Sequence, residues 1–94
     1  MVAKYDFDWH EPKALSNLAK HGVSFLNARR VFLDPHRIDE STAREQDQED
    51  RRKVTGRIGA KLFTVVYTVR PGNLRWIISA RRANRKEERS YGTL

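Results

Sequence analysis

The 94-residue chain contains no cysteine, which excludes disulfide bonds and thiolate zinc sites. It has no apolar run near the ~20 residues that a membrane-spanning helix needs. Its first residues, MVAKYD, lack the apolar stretch of a secretory signal. These absences predict a cytoplasmic protein without a membrane partner, and a chain of this length predicts one domain, residues 1–94.

Positive charge is concentrated in the second half of the chain. The net charge is +7, and residues 51–94 contain twelve Lys and Arg against two Asp and Glu. Residues 34–50 contain seven acidic residues and two basic ones. Segregated positive charge favours polyanions, chiefly nucleic acid, because binding releases condensed counterions. It would equally favour an acidic protein partner.

The first half of the sequence predicts a strand and two helices. Residues 5–9 alternate aromatic and acidic side chains, which indicates a half-buried strand. One helix is predicted over about 11–20, ended by Gly22, and another over about 25–33, with Ser24 as N-cap. Helical spacing predicts inward faces made of Ala14, Leu15, Leu18 and Ala19 in the first helix and of Phe25, Ala28, Val31 and Phe32 in the second.

The second half predicts strands and a last helix. An edge strand over about 36–42 precedes a polar loop, 43–50, and strands follow over about 51–58, 62–69 and 74–80. Asn84 and Glu87 resemble a capping box that opens a helix to about Tyr91. The sequence therefore predicts an α+β fold, with an antiparallel sheet of four to five strands packed against two N-terminal helices and a short C-terminal helix.

The end of the 74–80 strand carries the most informative residues, Ser79, Arg81 and Arg82. A buried strand does not need adjacent cations at its exit, whereas guanidinium groups on a rigid element suit phosphate. Arg51 and Arg70 are further candidate phosphate ligands, although Arg70 and Arg81 should lie at opposite ends of their hairpin. The alternatives are solvated arginines and, for Ser79, a small residue filling a crowded position.

Two residues are candidates for a general acid or base. His21 can change charge near neutral pH, and Glu49 precedes a cationic strand. The alternatives are a histidine that interacts with the last carbonyls of its helix and a surface ion pair. The scattered histidines and carboxylates match no metal-ligand spacing, so neither a metal nor a cofactor is expected.

Aromatic side chains could stack on the bases of a single-stranded nucleic acid. Trp76 and Tyr91 are the candidates, and Tyr91 is expected to be exposed because it lies near a fraying end. Trp9 is predicted to pack in the core instead. Lys20 and Arg82 complete the candidate residues for binding nucleic acid.

The segments KHGVSF (20–25) and IISAR (77–81), at this separation, resemble the BrnT family of ribonuclease toxins. The resemblance covers nearly the whole length, with further matches at Phe7, Trp9, Lys13, Asn17, Ala28, Val31, Phe32, Asp34, Pro35, Asp50, Arg51, Gly56, Val65, Val66, Tyr67, Thr68, Arg70, Ala83, Glu87 and Tyr91. The chain departs from the family pattern at His10 and Asn27, where the pattern has an acidic residue, and at Trp76, where it has a basic one.

The resemblance implies a RelE-like fold, related to microbial ribonucleases, and an endoribonuclease that arrests translation and growth. It also implies neutralisation by a BrnA-like antitoxin, whose ribbon-helix-helix portion binds operator DNA, in a heterotetramer. The chemistry needs no metal if the 2′-hydroxyl of RNA is the nucleophile. Two alternatives remain: a non-catalytic basic module that binds nucleic acid or an antitoxin, and an antitoxin-binding remnant whose chemistry has decayed.

Overall fold

A computed structural model describes residues 6–42 and 50–92. The strands are β1 (Asp6–Trp9), β2 (Ile38–Ser41), β3 (Arg51–Ile58), β4 (Lys61–Arg70) and β5 (Leu74–Arg82). The helices are α1 (Glu11–His21), α2 (Phe25–Ala28) with its 3₁₀ continuation (Arg29–Leu33), and α3 (Arg85–Gly92). The predicted order of elements and the α+β class are therefore confirmed.

The five strands form one sheet in the order β1-β5-β4-β3-β2. Strands β2, β3 and β4 each pair antiparallel with the next strand along the chain, as predicted. Strand β1 pairs parallel with β5, with Phe7 opposite Arg75, so the sheet is mixed and not purely antiparallel. The sequence could not show this pairing, because it joins the two most distant strands of the chain.

The core lies between the sheet and the N-terminal helices. Phe25, Ala28, Val31 and Phe32 are buried, as predicted from their helical spacing, and they pack with residues of β3, β4 and β5. The side chain of Ser24 accepts a hydrogen bond from the Asn27 amide at 3.1 Å, which confirms the N-cap. A Cβ atom on Gly56 would lie 2.9 Å from the carbonyl oxygen of Val31, so β3 and the 3₁₀ segment touch backbone to backbone.

The predicted inward face of α1 is largely wrong. Ala14 is buried, but Leu15 and Leu18 are 62% and 44% exposed, and Ala19 is exposed. Asn17 is buried instead, and its side chain bonds the Ala80 amide at 3.1 Å and the Ala80 carbonyl at 2.9 Å. Because β1 pairs only with residues 74–77 of β5, Ala80 lies on a free sheet edge whose polar groups need a partner.

Helix α3 lies on the other side of the sheet. Asn84 and Glu87 form the predicted capping box, with reciprocal side-chain bonds to each other's amides at 2.8 and 2.9 Å. The last turn of α3 is attached through Tyr91, whose hydroxyl donates to the buried carboxylate of Asp34 at 2.6 Å. Asp34 ends the 3₁₀ segment and also accepts the amide of Arg57, so one carboxylate joins three elements.

Candidate active site

Strands β3, β4 and β5 have a second face, opposite the N-terminal helices. Because side chains alternate along a strand, the burial of Val54, Val65 and Ala80 beneath those helices places their sequence neighbours on the other face. Helix α3 covers one end of that face. We call it the open face, and the candidate functional side chains on it are Arg51, Lys53, Arg70, Trp76, Ser79 and Arg81.

A β-bulge in β5 determines which residues reach the open face. Val66 pairs with Ser79, but Tyr67 pairs with Ile77, so Ile78 is an extra residue in β5. An unbroken strand would place Trp76 and Ser79, three residues apart, on opposite faces. The bulge resets the alternation, and both side chains therefore share the open face.

The open face is organised in rows across three strands. Thr68 pairs with both Arg51 and Trp76, which gives the first row. The next row contains Lys53 and Ser79, on either side of Val66, and the third has Arg81 paired with Thr64. Rows two residues apart are separated by about 7 Å, so the basic groups extend over a length that several nucleotides of RNA would occupy.

One end of the open face carries a stacked pair. The guanidinium carbon of Arg70 lies 4.1 Å from the centroid of the Trp76 ring. A cation at this distance is attracted to the negative face of the ring. The contact places a guanidinium group and an indole ring together at one end of the open face, and these are group types that can bind phosphate and stack on a base.

The other end of the open face carries an ion-pair network centred on Glu87. Its carboxylate, 5% exposed, accepts two hydrogen bonds from Arg81, at 2.8 and 2.9 Å. The ammonium of Lys53 lies 3.2 Å from the same carboxylate, and the Thr64 hydroxyl donates to it at 2.9 Å. We call Glu87, Arg81, Lys53 and Thr64 the Glu87 network.

The Glu87 network keeps its carboxylate ionised. Burial alone would raise the pKa of Glu87, but the hydrogen bonds from Arg81, the Asn84 amide, Thr64 and Lys53 outweigh burial and lower the pKa to about 2. The hydrogen bond to Glu87 in turn raises the pKa of Arg81. At neutral pH the network therefore holds two cations and one carboxylate, with a net positive charge.

The two arginines at the end of β5 lie on different faces. Arg81 pairs with Thr64 and reaches the Glu87 network on the open face. Arg82 projects from the other face, and its guanidinium carbon lies 5.6 Å from the centroid of the Phe63 ring. The adjacent cations that the sequence suggested as one feature therefore cannot bind the same phosphate from one side of the sheet.

The two candidates for proton transfer are not brought into this arrangement. His21 and Lys20 are exposed at the C-terminal end of α1, in the helix layer on the opposite side of the sheet from the open face. Glu49 lies outside the described residues. Their roles stay predictions.

Tyr91 is buried, which corrects the expectation that it is exposed. Its ring is 6% exposed, and the guanidinium carbon of Arg57 lies 5.3 Å from the ring centroid. The hydrogen bond to Asp34 raises the pKa of Tyr91. A ring enclosed in this way offers little surface for stacking on a base, and its visible role is to hold α3 on the sheet.

Lys53 and Glu87 belong to the candidate site, and the sequence did not reveal them as such. Lys53 lies two residues after Arg51, so strand alternation alone would have placed both on one face. Glu87 was recognised as part of the capping box, but its contact with Lys53 joins residues more than thirty positions apart. Such a contact leaves no local pattern.

The part of the chain that the structure describes was compared with the requirements of a metal site and of a membrane-spanning helix. Within residues 6–42 and 50–92, no three His, Asp or Glu side chains cluster in a way that could hold a metal ion. In the same ranges no helix is long and apolar enough to cross a membrane.

The fold and the open face define an α+β protein with a cationic sheet surface suited to RNA. The chain belongs to the BrnT family, described as the ribonuclease toxin of a type II toxin–antitoxin system, whose model matches residues 9–87. The family proposed from the sequence segments is thereby confirmed. Membership makes this chain a ribonuclease toxin, with RNA as its substrate and an antitoxin as its partner.

A solved structure agrees with this assignment. The fold is similar to the crystal structure of the Brucella abortus ribonuclease toxin BrnT, with a TM-score of 0.63 and 25% sequence identity. The match covers 88% of this chain and 100% of that chain. Comparison with curated protein sequences gives no match.

Proposed function

We propose that this protein is a metal-independent endoribonuclease that cleaves RNA at the open face and thereby inhibits translation and growth. The observation that carries the proposal is the open face itself. Strand register and the β5 bulge place four cations, one aromatic ring and one hydroxyl on one side of one sheet. Rigid guanidinium groups can stabilise charge that develops on phosphoryl oxygens without any reorganisation.

The proposed reaction uses the RNA's own 2′-hydroxyl. Its oxygen attacks the adjacent phosphorus while the bond from phosphorus to the 5′-oxygen breaks, which leaves a 2′,3′-cyclic phosphate and a 5′-hydroxyl. One proton leaves the attacking oxygen and one reaches the departing oxygen. Arg51, Arg70 and Arg81 bind the phosphates, and the Ser79 hydroxyl donates to a non-bridging oxygen.

Two further roles complete the proposed site. Trp76 stacks on a base, supported from one side by Arg70. Glu49 and His21 are the candidates for the base. The position of His21 in the helix layer favours Glu49, which precedes Arg51 by two residues in the sequence.

We further propose that the antitoxin is BrnA-like and covers the open face. A ribbon-helix-helix portion would bind operator DNA, and two toxins with two antitoxins would form the heterotetramer. The support is electrostatic, since twelve basic residues against two acidic ones in residues 51–94 would attract an acidic segment. An antitoxin that contacts only residues 1–33 would contradict this part.

The test is cleavage of RNA in EDTA, with analysis of the ends. Wild type should leave cyclic or 3′-phosphate ends, and Arg51→Ala or Arg81→Ala should lower kcat by about 10²–10³, the effect of removing one donor to a developing oxyanion. His21→Ala is the informative comparison, because full activity would exclude His21 as the base. Unchanged cleavage in both arginine variants would contradict the assignment of the site.

One observation favours a second function, a basic module that binds RNA without cutting it. Arg81 is already paired with Glu87 through two hydrogen bonds, as a structural ion pair would be. This alternative predicts binding that weakens steeply with salt, and no product after long incubation. Accumulation of cyclic-phosphate ends would exclude it.

A further inference from the structure

We infer that Glu87 is a positioning residue for the ribonuclease reaction, which holds Arg81 and Lys53 side by side as one phosphate-binding site. The inference rests on the proposed function, and it assigns a role to a carboxylate that does not itself touch the RNA. Glu87 occupies some of the hydrogen-bond donors of Arg81 and leaves others available.

Arg81 has two edges that can each donate a pair of hydrogen bonds. The terminal edge, Nη1 and Nη2, is bound to Glu87, and Nη1 also donates to the carbonyl of Arg82 at 3.1 Å. The lateral edge consists of Nε–H and the second hydrogen of Nη2, and it has no partner within residues 6–42 and 50–92. A lateral edge fits two phosphate oxygens, so Glu87 orients Arg81 without using all of its binding capacity.

Lys53 is held next to that edge. Oxygen Oε2 of Glu87 lies 2.9 Å from Arg81 Nη2 and 3.2 Å from Lys53 Nζ, so the two nitrogens are at most about 6 Å apart. Because each N–H···O bond spans about 2.9 Å, one phosphate group can accept from both nitrogens. Ser79 occupies the same row as Lys53, on the same face as Arg81, so its hydroxyl borders this position.

Burial makes Glu87 suited to hold two long side chains in place. Its side chain is 5% exposed, whereas those of Arg81 and Lys53 are 32% and 26% exposed and therefore reachable by a ligand. Glu87 is fixed by Thr64 on the sheet and by the Asn84 amide at the start of α3. The two cations outnumber the one carboxylate, so the site can still attract a phosphodiester.

The test measures affinity for a 2′-deoxy oligonucleotide, which cannot be cleaved, and kcat on RNA. Glu87→Gln removes a negative charge from a protein of net charge +7, so electrostatics alone predicts tighter binding. A positioning role predicts the opposite, about tenfold weaker binding and a kcat about 10²-fold lower. Glu88→Gln is the matched control, because Glu88 is exposed and its loss should leave binding equal or slightly tighter.

Chemical rescue provides a second test, and its first measurement does not require that Glu87→Gln folds. Arg81→Ala should regain part of its activity when millimolar guanidinium is added, because the free ion can dock on Glu87. Arg81→Ala combined with Glu87→Gln should show no rescue. Tyr91→Phe, which loosens the attachment of α3 to Asp34 but removes no contact of Glu87, should keep both activity and affinity.

The outcomes separate this inference from the proposed function. Tighter or unchanged binding by Glu87→Gln together with unchanged kcat would overturn the positioning role. Loss of activity in Tyr91→Phe in proportion to its lower Tm would also overturn it, in favour of a structural role. A wild type that binds RNA but never cleaves it would overturn the proposed function alone, because the affinity comparison would still report on Glu87.

Discussion

Protonation of Glu87 should be a major cause of acid unfolding. The folded state lowers the pKa of Glu87 from 4.5 to about 2, against the opposing effect of burial, because Arg81, the Asn84 amide, Thr64 and Lys53 stabilise the carboxylate. A group whose pKa is lower in the folded state stabilises the fold above its unfolded pKa. That stabilisation is lost as the pH falls through the folded pKa.

The size of the effect follows from the two pKa values. A difference of about 2.5 units, at 1.36 kcal/mol per unit, corresponds to roughly 3 kcal/mol. The free energy of unfolding should be insensitive to this group above about pH 5 and should fall by up to about 1.4 kcal/mol per pH unit between pH 4.5 and about 2. For a domain of total stability 5–15 kcal/mol, on the order of a third could be lost.

Urea unfolding at a series of pH values, followed by circular dichroism, measures this dependence. Wild type and Glu88→Gln should lose stability in parallel on acidification. Glu87→Gln should be less stable at pH 6, but its free energy of unfolding should depend visibly less on pH. The pH dependence that remains is due to groups such as Asp34. Burial opposes ionisation of Asp34, but hydrogen bonds from the Tyr91 hydroxyl and two amides lower its pKa. Identical slopes in Glu87→Gln and wild type would refute the reasoning.

Two further pairs of substitutions, each a test variant with its control, probe the packing that supports the site. Gly56→Ala should lower the free energy of unfolding by about 1–3 kcal/mol, because the new Cβ would lie 2.9 Å from the Val31 carbonyl, while Gly92→Ala, whose Cβ meets nothing within 4 Å, should cost far less. Asn17→Leu should cost about 3 kcal/mol by leaving the Ala80 edge unsatisfied, whereas Leu15→Ala should change stability by less than about 0.5 kcal/mol. Thermal and urea unfolding measure both pairs, and equal costs within either pair would contradict the packing described.

Local patterns predicted most of the fold. Ser24, Gly22 and the Asn84–Glu87 capping box mark helix ends through bonds between near neighbours, and the structure shows each of them. The helical spacing of Phe25 and Val31 identified the buried face of the second helical segment. These features can be predicted from the sequence because the residues that interact lie within a few positions of one another.

The predictions that were wrong share a different cause. Leu18 was predicted as a core residue and Asn17 was not included in the inward face, because nothing near them shows that Ala80 lies on an unpaired edge. Tyr91 looked exposed because its partner, Asp34, is 57 residues away. Hydrogen bonds between distant buried groups overrode the local hydrophobic pattern in both cases.

The site was predictable as a set of residue types and not as an arrangement. Arg51, Arg81 and Ser79 were identified from their chemistry, and the register places them on one face. The bulge that brings Trp76 to the same face involves Ile78, which has no distinguishing local signal. Lys53 enters the site through Glu87, a contact that only the folded chain creates.

Cleavage of RNA by two charge-matched triple variants tests most directly whether the open face is the catalytic surface. One variant replaces Arg51, Arg70 and Arg81 by Ala, and the other replaces exposed Lys13, Arg29 and Arg30 on the helical segments. Each removes three positive charges from a net charge of +7, so general attraction to RNA falls equally. The open-face variant should lose cleavage at a temperature at which circular dichroism shows that it is still folded, and the helix variant should keep cleavage. Equal loss, or loss in the helix variant alone, would contradict the account.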